Sequence, residues 1–502
     1  MEYDQVCFFT ALIMGSVSIV YTLLRRTNEW IYVSPLGALQ KTLPPGDLGF
    51  PLIGNMFSFF RAFKFGNPDS FISSFTTRFG QAPMYRTLLF GKPSIIVTTA
   101  EACRKVLTDE RFGPGWPRSV SDLVGKRGLH GVSNQEHKRL RQLIAAPVAG
   151  QEALSLFIGY IEDIARTTFD TWASKDEPIQ LLTEMRKTAF KVMMNIIMGN
   201  EINDEKSLDH MEHEYTVLSN GLKSMAVNLP GFAYHRALKA RKSLVKTFAA
   251  IVCKRRMLSK SNVESRTKKD LLTLMMVIQD DAGNKLNDEQ IVDLVIIFLL
   301  AGHESSGHAV TWAIILLHEH PQTLQKAVEE QEDIVKRRAF SDTGLNFREI
   351  RQMKYLQTVI DETLRVVNLS FALFREAKSD VDINGYTIPK GWRVLPWIRN
   401  VHFDPENYKS PKDFNPSRWE VRESFSLDPT IKIGTLVPFG AGSRLCPGAD
   451  LAKLEISVFL HYFLLNYRLE RINPGSRVQY LPITRPADKC LARIKKLTKS
   501  YA

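Results

Sequence analysis

Residues 287–321 form one long apolar segment that restricts the possible fold more than any other part of the sequence. The segment reads NDEQIVDLVIIFLLAGHESSGHAVTWAIILLHEHP. Asn287 is a typical helix N-cap and Pro321 a typical stop, so roughly 33 residues between them would form a helix about 50 Å long. Because this helix is apolar nearly all round, we expect it to be buried. Glu304 and several histidines interrupt the uncharged run, which favours a core helix over a membrane span.

The centre of the predicted helix, AGHESSGH (residues 301–308), is polar. A glycine in a helix interior costs about 1 kcal/mol relative to alanine, and a buried carboxylate without a partner costs more. Two interpretations explain why such residues stand there. The serines bond back to the preceding turn and kink the helix, or the centre borders a groove for a flat ligand, with Glu304 and Ser305 at its edge.

The composition is that of an ordinary globular protein, with 502 residues, of which 44% are hydrophobic and 24% charged. No internal repeat and no Gly/Ser linker divides the body, so we expect one large domain. The cysteines form no CxxC pair, which argues against disulfides and a zinc site and favours a reducing compartment. They are Cys7, Cys103, Cys253, Cys446 and Cys490.

The formal net charge of +13 has two interpretations. It describes a soluble basic surface, or it attracts anionic lipid headgroups or an acidic protein partner. The basic residues form no stripe interleaved with aromatic residues and no recognised nucleic-acid module, so we expect no nucleic-acid partner.

The N-terminus predicts a membrane anchor. Residues 6–24 carry no formal charge, and as a helix they would span about 28 Å, close to the roughly 30 Å of a bilayer core. Arg25 and Arg26 follow the apolar run, whereas a cleaved signal peptide carries its positive charge in front and an A-x-A-like cleavage site behind. We therefore expect a lumenal N-terminus (1–5), a single-pass anchor (6–24), a connector (25–43) and a cytosolic catalytic domain (44–502).

Elsewhere the sequence predicts mostly helices. Residues 68–80, 100–112 and 134–147 have helical patterns, and the β-branched run at 92–100 predicts a strand. Pro44 and Pro45 predict a stiff hinge between the anchor and the body. The expected fold class is therefore mainly α with small β-sheets.

Three further motifs carry chemistry. DETLR places Glu362 and Arg365 three residues apart on a helix, a pair that is usually exposed and contributes a few tenths of a kcal/mol. FNPSRW places Arg418 in an irregular, proline-bearing loop. If Arg418 reached the same carboxylate, the three side chains would form a buried network. The network would lock the glycine-rich loop that carries Cys446, VPFGAGSRLCPGADLAKLE (437–455).

Together these motifs resemble the cytochrome P-450 family. The pattern F-x-x-G-x-R-x-C-x-G is met by Phe439, Gly442, Arg444, Cys446 and Gly448, and the other motifs stand upstream in the family's order. The resemblance extends from the N-terminal apolar run to the last strands. It implies the cytochrome P-450 fold and a haem-thiolate monooxygenase.

The resemblance implies that haem b (iron protoporphyrin IX) is the cofactor and that Cys446 is the axial ligand of its iron. The ligating sulfur has to be a thiolate, which backbone N–H groups and the positive end of the following helix would stabilise. Arg141, Arg375 and Arg444 match positions that pair with haem propionates. His137 stands where the family often has tryptophan.

By the same resemblance, Glu304 and Ser305 would relay protons to bound dioxygen. Many family members have threonine where this chain has Ser305, and serine lacks the methyl group that restricts the rotamer. No flavin or nicotinamide fingerprint is present, so electrons would come from a separate NADPH–cytochrome P-450 reductase that docks on the basic surface. The resemblance implies a single-pass protein of the endoplasmic reticulum membrane with its catalytic domain in the cytosol.

The substrate is implied by resemblance to a plant subgroup that includes ent-kaurenoic acid oxidases and triterpene oxidases of the β-amyrin and cucurbitane type. LPPGDLGFPLIGN and AGHESSGH are among the stretches that carry it. The segments 112–133 and 367–375 are expected to border an apolar pocket, which favours a neutral triterpene such as cucurbitadienol or β-amyrin. The expected pocket residues are Leu123, Val124, Ala301, Leu369, Phe371 and Phe374.

The alternative substrate is ent-kaurenoic acid, because Lys126, Arg127 or His130 would suit a substrate carboxylate. Two other classes of function are also weighed. A haem-thiolate isomerase or dehydratase works without dioxygen, and such relatives generally lack an acid–hydroxyl pair such as Glu304–Ser305. A haem sensor or carrier would leave the polar helix centre without a purpose.

Overall fold

The computed structural model describes residues 2–201, 204–260, 270–338, 344–423, 434–481 and 483–498. The chain divides into two compact units. Unit 1 comprises Met1–Gly115 and Phe371–Val401, and unit 2 comprises Trp116–Ser370 and His402–Ala502. The prediction of a mainly α fold with small β-sheets is confirmed. The prediction that residues 44–502 act as one catalytic domain stays a prediction.

The helices are numbered in chain order. They are α1 (Glu2–Tyr32), α2 (Met56–Phe60), α3 (Asp69–Phe79), α4 (Ala100–Thr108), α5 (Arg118–Val124), α6 (Asn134–Ala149), α7 (Gln151–Ala173), α8 (Leu181–Met198), α9 (Glu205–Leu222), α10 (Ala233–Lys260), α11 (Leu271–Val277), α12 (Asp288–Glu319), α13 (Pro321–Arg337), α14 (Phe347–Gln352), α15 (Lys354–Val367), α16 (Ile398–His402) and α17 (Ala449–Asn466). Short 3₁₀ helices span Ser34–Thr42, Gly199–Glu201, Pro416–Glu423 and Gly442–Arg444, and Arg61–Phe65 is a π-helix.

The strands are short, and each sheet lies within one unit. They are β1 (Met84–Leu89), β2 (Lys92–Val97), β3 (Phe112–Pro114), β4 (Ile179–Gln180), β5 (Arg375–Ala377), β6 (Val381–Ile383), β7 (Tyr386–Ile388), β8 (Arg393–Pro396), β9 (Tyr467–Arg471), β10 (Val478–Gln479), β11 (Arg485–Pro486) and β12 (Leu491–Lys496). Unit 1 holds a five-stranded sheet in the order β1-β2-β8-β5-β3 and the hairpin β6-β7. Unit 2 holds β4-β12-β9 and β10-β11.

The core helix α12 forms where the sequence predicts it. Asn287 and Gln290 make a reciprocal capping box at its N-terminus, and α13 begins at Pro321. Helices α8, α10 and α17 pack against α12 in unit 2. Among the described residues it is the single unbent helix long and apolar enough to cross a membrane, yet 78% of that stretch is buried in protein. The interpretation as a core helix is therefore confirmed.

Helix α1 is longer than the predicted anchor, so part of the predicted connector (25–43) is helical. Its described side chains include seven exposed apolar ones, Leu12, Ile13, Met14, Ile19, Val20, Leu23 and Leu24. The buried Asn28 amide donates to the carbonyls of Leu48, at 3.0 Å, and Gly49, at 3.2 Å. The Glu29 carboxylate accepts the Leu48 N–H at 3.1 Å. Whether α1 crosses a membrane stays a prediction.

Three local predictions are corrected. The helix expected over 100–112 ends at Thr108, because Phe112 pairs with Ala377 in the sheet. The FNPSRW loop is partly ordered as the 3₁₀ helix Pro416–Glu423. The expected hinge at Pro44 and Pro45 is bound to the sheet, because the Arg86 N–H donates to the Pro45 carbonyl at 2.9 Å.

Candidate functional site

The loop before α17 holds Cys446 in a tight backbone arrangement. The Cys446 N–H donates to the Phe439 carbonyl at 3.0 Å, and the Gly440 N–H donates to the Val437 carbonyl at 3.0 Å. Gly440 and Gly442 have φ angles of 78° and 70°, a left-handed region that favours glycine. The loop therefore needs glycine at these two positions to place the thiol beside the start of α17.

The surroundings of the Cys446 thiol shift its pKa in opposite directions. Burial raises its pKa, whereas a backbone hydrogen bond from Gly448 and the positive charge of Arg141 lower it, and Asp450 raises it. Only part of the residue is covered by protein. A metal ion bound to this sulfur would add the positive charge that a thiolate needs. The donor set therefore fits one soft axial ligand to haem iron.

Arg444 offers a positive charge that has no acidic partner within the part of the chain that the structure describes. Its guanidinium donates to the carbonyl of Leu129 at 3.3 Å and to the side-chain oxygen of Asn134 at 2.9 Å. Burial lowers its pKa to about 10, and no acidic group offsets that shift. A partly buried guanidinium that contacts neutral oxygens is suited to an added carboxylate, so Arg444 fits a haem propionate.

The other predicted propionate partners lie in both units. Arg141 is half-buried on α6 and donates to the Leu445 carbonyl at 2.6 Å, so it already contacts the cysteine loop. His137 is buried on the same helix. Arg375 lies on β5 in unit 1, where it donates to the Phe374 carbonyl at 3.1 Å. The propionate contacts of all three residues stay predictions.

The centre of α12 leaves one face uncovered. Between Ile291 and Leu317 every residue is buried except Ala301 and Ser305, which are exposed, and Gly302, which is intermediate. Ala301 and Ser305 are one turn apart and share a face. The Ser305 hydroxyl donates to the Ala301 carbonyl at 2.6 Å, and the helix continues through this turn. Serine therefore bonds back without breaking the helix, and the open face fits a ligand lying over it.

Glu304 is buried with partners of its own, so the expectation that Glu304 and Ser305 edge the same groove stays a prediction. The Ser219 hydroxyl and the Lys223 ammonium, at the end of α9, each donate to the Glu304 carboxylate at 2.5 Å. The Arg186 guanidinium lies 3.8 Å away on α8. Burial alone would raise the Glu304 pKa, but these cations and hydrogen bonds hold it at about 2. The proton relay from Glu304 and Ser305 stays a prediction.

Glu362, Arg365 and Arg418 form the buried network that the motifs suggest. Arg365 binds both carboxylate oxygens of Glu362, at 2.9 and 2.8 Å, and Arg418 Nε donates to Glu362 Oε1 at 2.8 Å. Both side chains of the Glu362–Arg365 pair are fully buried. The Trp419 indole N–H and the Asn415 backbone N–H also donate to the Glu362 carboxylate, at 3.0 and 2.9 Å. The negative charge of the buried Glu362 carboxylate is therefore compensated by two guanidinium groups and two neutral N–H donors.

The network reaches the cysteine loop through His402. Arg365 Nη1 donates to the His402 carbonyl at 2.8 Å, and the Val437 N–H donates to His402 Nε2 at 3.1 Å. Since Nε2 accepts, Nδ1 carries the proton and donates to Asn368 Oδ1 at 2.8 Å. Burial, followed by the charge of Arg365, lowers the His402 pKa to about 3, so the ring is neutral. His402 thus fixes the first residue of the loop.

The expected pocket residues are apolar, and two of them are committed to packing. Leu123 and Val124, at the end of α5, are buried, and Leu369 is partly buried against the core of unit 2. In unit 1, the Phe371 ring packs on Phe63, with 4.7 Å between centroids, and that of Phe374 packs on Phe90 at 5.5 Å. Their contact with a substrate stays a prediction.

Sequence reasoning missed several residues of this region. Lys223, Ser219 and Arg186 come from other helices, and only the rule that a buried carboxylate needs partners indicates that such residues exist. Glu455, on α17, is fully buried, and Ser306 hydrogen-bonds to its carboxyl group. The position of Glu455 in a mainly apolar stretch, ADLAKLEISVFL, could have indicated that this acid is buried.

Comparison with known proteins agrees with this geometry. A model of the cytochrome P-450 family matches residues 44–485. The chain is 54% identical to ent-kaurenoic acid oxidase 2 of Arabidopsis thaliana over 97% of both chains. It is 49% identical to a 7,8-epoxymelianol synthase of Citrus sinensis over 96% of this chain and 97% of that one. It is 46% identical to beta-amyrin 11-oxidase of Glycyrrhiza uralensis over 99% and 100%.

A solved structure has the same architecture. The retinoic acid-bound cyanobacterial CYP120A1 aligns with a TM-score of 0.78 at 25% sequence identity, covering 91% of this chain and 99% of that chain. The similarity therefore extends over most of the chain.

Proposed function

The chain belongs to the cytochrome P-450 family, and from that premise we propose that it oxidises a triterpene skeleton. As a member of this family it is a haem-thiolate monooxygenase of plant terpenoid oxidation that uses dioxygen and reductase-supplied electrons. Thiolate-ligated haem supplies the oxygen chemistry, because the sulfur donates electron density that favours cleavage of the O–O bond. The remaining steps depend on the side chains of this chain.

Each side chain has a separate task in the proposal. Cys446 holds the iron, and Arg444 neutralises a propionate. The open face of α12 at Ala301 and Ser305 receives the oxygen and the substrate carbon. Glu304 is ionised and held by Lys223 and Ser219. When this ion pair opens, the carboxylate would take up a proton from water and pass it towards the Ser305 hydroxyl.

The apolar residues expected at the pocket carry the preference for a neutral triterpene. A neutral ring system needs only apolar neighbours, and Leu123 and Val124 are both buried and apolar. Lys126, Arg127 and His130 are the residues that would suit a substrate carboxylate, and the first two already have acidic partners. Lys126 Nζ lies 3.0 Å from Asp122 Oδ1, and Arg127 Nε lies 2.8 Å from Glu289 Oε2. A substrate carboxylate would compete with these acids, although such exposed pairs contribute little.

The second candidate is the oxidation of ent-kaurenoic acid, and sequence identity favours it. The identity to ent-kaurenoic acid oxidase 2 is 54%, against 46% for beta-amyrin 11-oxidase. Both groups of relatives cover nearly the whole chain, so identity alone does not choose the substrate.

Feeding experiments decide between the two substrates. The full chain is co-expressed with a plant NADPH–cytochrome P-450 reductase in yeast and given cucurbitadienol, β-amyrin or ent-kaurenoic acid. We expect new oxygenated products from a triterpene, with oxygen drawn from isotope-labelled dioxygen, and none from the Cys446→Ser variant. Turnover of ent-kaurenoic acid alone would reject the triterpene proposal. Products without the label would indicate an isomerase or dehydratase instead.

We further infer that α1 anchors the protein in the endoplasmic reticulum membrane with the catalytic body in the cytosol. The support is the seven exposed apolar side chains already named between Leu12 and Leu24 and the basic residues that follow them in the sequence. The net charge of +13 suits an acidic reductase as the electron donor. Glycosylation tags placed before and after α1 would test the orientation, because only lumenal tags are modified.

A further inference from the structure

A buried carboxylate on α12 binds two other parts of unit 2. Asp293 is 7% exposed and lies near the N-terminal end of α12. Its Oδ1 accepts a hydrogen bond from Nη2 of Arg241, on α10. Its Oδ2 accepts the backbone N–H of Arg127 at 3.0 Å. One side chain therefore joins α12, α10 and the segment that follows α5.

Arg241 binds the same segment from the other side. Its Nη1 donates to the Leu123 carbonyl at 3.2 Å. The Arg241 side chain is 15% exposed and that of Asp293 10%, so the ion pair is screened little by solvent. We call Asp293, Arg241 and the backbone of residues 123–128 the Asp293 clasp. It fixes the backbone at Leu123 and at Arg127, on both sides of Gly125.

Glycine allows the segment to approach this closely. Gly125 has a φ of 112°, and a Cβ at this position would lie 2.3 Å from the Asp293 carboxyl carbon. At Gly128 a Cβ would lie 3.6 Å from the Asp293 Cβ, an ordinary contact. The backbone from 125 to 128 therefore lies directly on Asp293, and Gly125 cannot carry a side chain without moving it.

The side chains outside the clasp hold the segment weakly. Lys126 and Arg127 pair with Asp122 and Glu289, but the side chains of both basic residues are more than half exposed, at 65% and 59%. Exposed pairs of this kind contribute little. The buried carboxylate is thus the main polar attachment between the segment and the core helix.

We propose that Asp293 is a positioning residue for substrate selection. By holding residues 123–128 on α12 and α10, it sets the wall formed by Leu123 and Val124, which the proposed function places at the substrate. Loss of the carboxylate leaves the Arg241 guanidinium and the Arg127 N–H without their acceptor, so the segment detaches from α12. Within the described residues the Glu362 network has no contact with Asp293, and Arg444 of the Cys446 loop keeps its hydrogen bond to Asn134 at 2.9 Å even where its bond to Leu129 is disturbed. Selectivity changes before haem binding does.

The test compares Asp293→Ala and Asp293→Asn with Glu289→Gln in the full chain. Glu289→Gln is the matched control, because it removes an acid one turn away whose one ion pair among the described residues is with the exposed Arg127 side chain. Limited trypsin digestion with mass spectrometry follows cleavage after Lys126 and Arg127. We expect cleavage at these bonds to be at least tenfold faster in Asp293→Ala, faster by a smaller factor in Asp293→Asn, and within twofold of the parent in Glu289→Gln.

Kinetics with cucurbitadienol and β-amyrin supply the second measurement. We expect a KM raised at least fivefold, a kcat within threefold and an altered ratio of products, with an unchanged ferrous–CO spectrum. Parent-like cleavage and KM in Asp293→Ala would overturn the proposal. A loss of the ferrous–CO band that parallels the loss of binding would also overturn it, because the role would then be general stability. The trypsin result does not depend on the substrate, so a failure of the triterpene proposal remains distinguishable.

Discussion

Glu455 is a buried acid whose ionisation opposes folding, and its replacement by glutamine has a calculable effect. The side chain is 1% exposed on α17, and its Oε1 has no hydrogen-bond partner within the described part of the chain. Burial raises the pKa of this carboxyl from its usual 4.5 to about 8, and the hydrogen bond from Ser306 offsets only part of that shift. At neutral pH the folded protein therefore holds this group as a neutral acid.

The sign of the pH dependence follows from this difference in pKa. Below pH 4.5 the carboxyl is protonated in both the folded and the unfolded chain, and its contribution to stability is fully present. Between pH 4.5 and 8 the unfolded chain releases the proton and the folded chain keeps it. The free energy of unfolding then falls by about 1.4 kcal/mol per pH unit, to a ceiling of roughly 5 kcal/mol. Glutamine has the shape of the neutral acid and does not titrate.

The measurement is urea unfolding of the parent and Glu455→Gln, followed by tryptophan fluorescence at pH 5, 6 and 7. We expect the unfolding free energy of the variant to rise relative to the parent by about 3 kcal/mol from pH 5 to pH 7. Glu152→Gln, at an exposed position of α7, is the control for loss of a carboxyl group. If the difference between parent and Glu455→Gln varies by less than about 1 kcal/mol over this range, the argument from burial is refuted.

Four further outcomes are expected. Cys446→Ser should abolish the red-shifted Soret band of the ferrous–CO adduct, and an unchanged band would contradict the ligand assignment. Glu362→Gln leaves Arg365 buried without its counter-charge and should lower the unfolding free energy by about 3–5 kcal/mol, measured by urea unfolding. Trp419→Phe removes one neutral donor from the same carboxylate and should lower the unfolding free energy by only about 1–3 kcal/mol. If Trp419→Phe and Glu362→Gln lowered it equally, the view that the charged partners matter more than the neutral donor would be contradicted. Glu304→Gln should reduce turnover at least tenfold and lower product formed per NADPH consumed, whereas unchanged coupling would exclude it from the proton path.

Much of the fold was predictable because its signals are local. The N-cap, the apolar run and the stop that define α12 all lie within residues 287–321, and the structure has the helix within a residue or two of each end. The glycine-rich loop of Cys446 is likewise specified by its own residues. The early end of α4 at Thr108 was not predictable, because it depends on pairing between Phe112 and Ala377, which lie far apart in the chain.

The candidate site also contains some features that were predictable from the sequence and others that were not. The Glu362 network was predictable because the resemblance supplies all three of its charged members. The direction of Glu304 was not, because residues 304 and 305 are adjacent in sequence but about 100° apart on a helix, and only the positions of α8 and α9 decide which neighbour is covered. His402 was missed for a similar reason. Its link to Val437 joins residues 35 positions apart.

The bonds from Asn28 to the loop after Pro45 have a mechanical consequence. Leu48, which Asn28 and Glu29 hold, is wholly buried in the core of unit 1, and Arg86 of β1 binds the neighbouring Pro45. The end of α1 is therefore connected to the sheet by several hydrogen bonds and not by a flexible linker. If α1 lies in a membrane, as we propose, a change in bilayer thickness that tilts the helix would be transmitted to the orientation of that sheet.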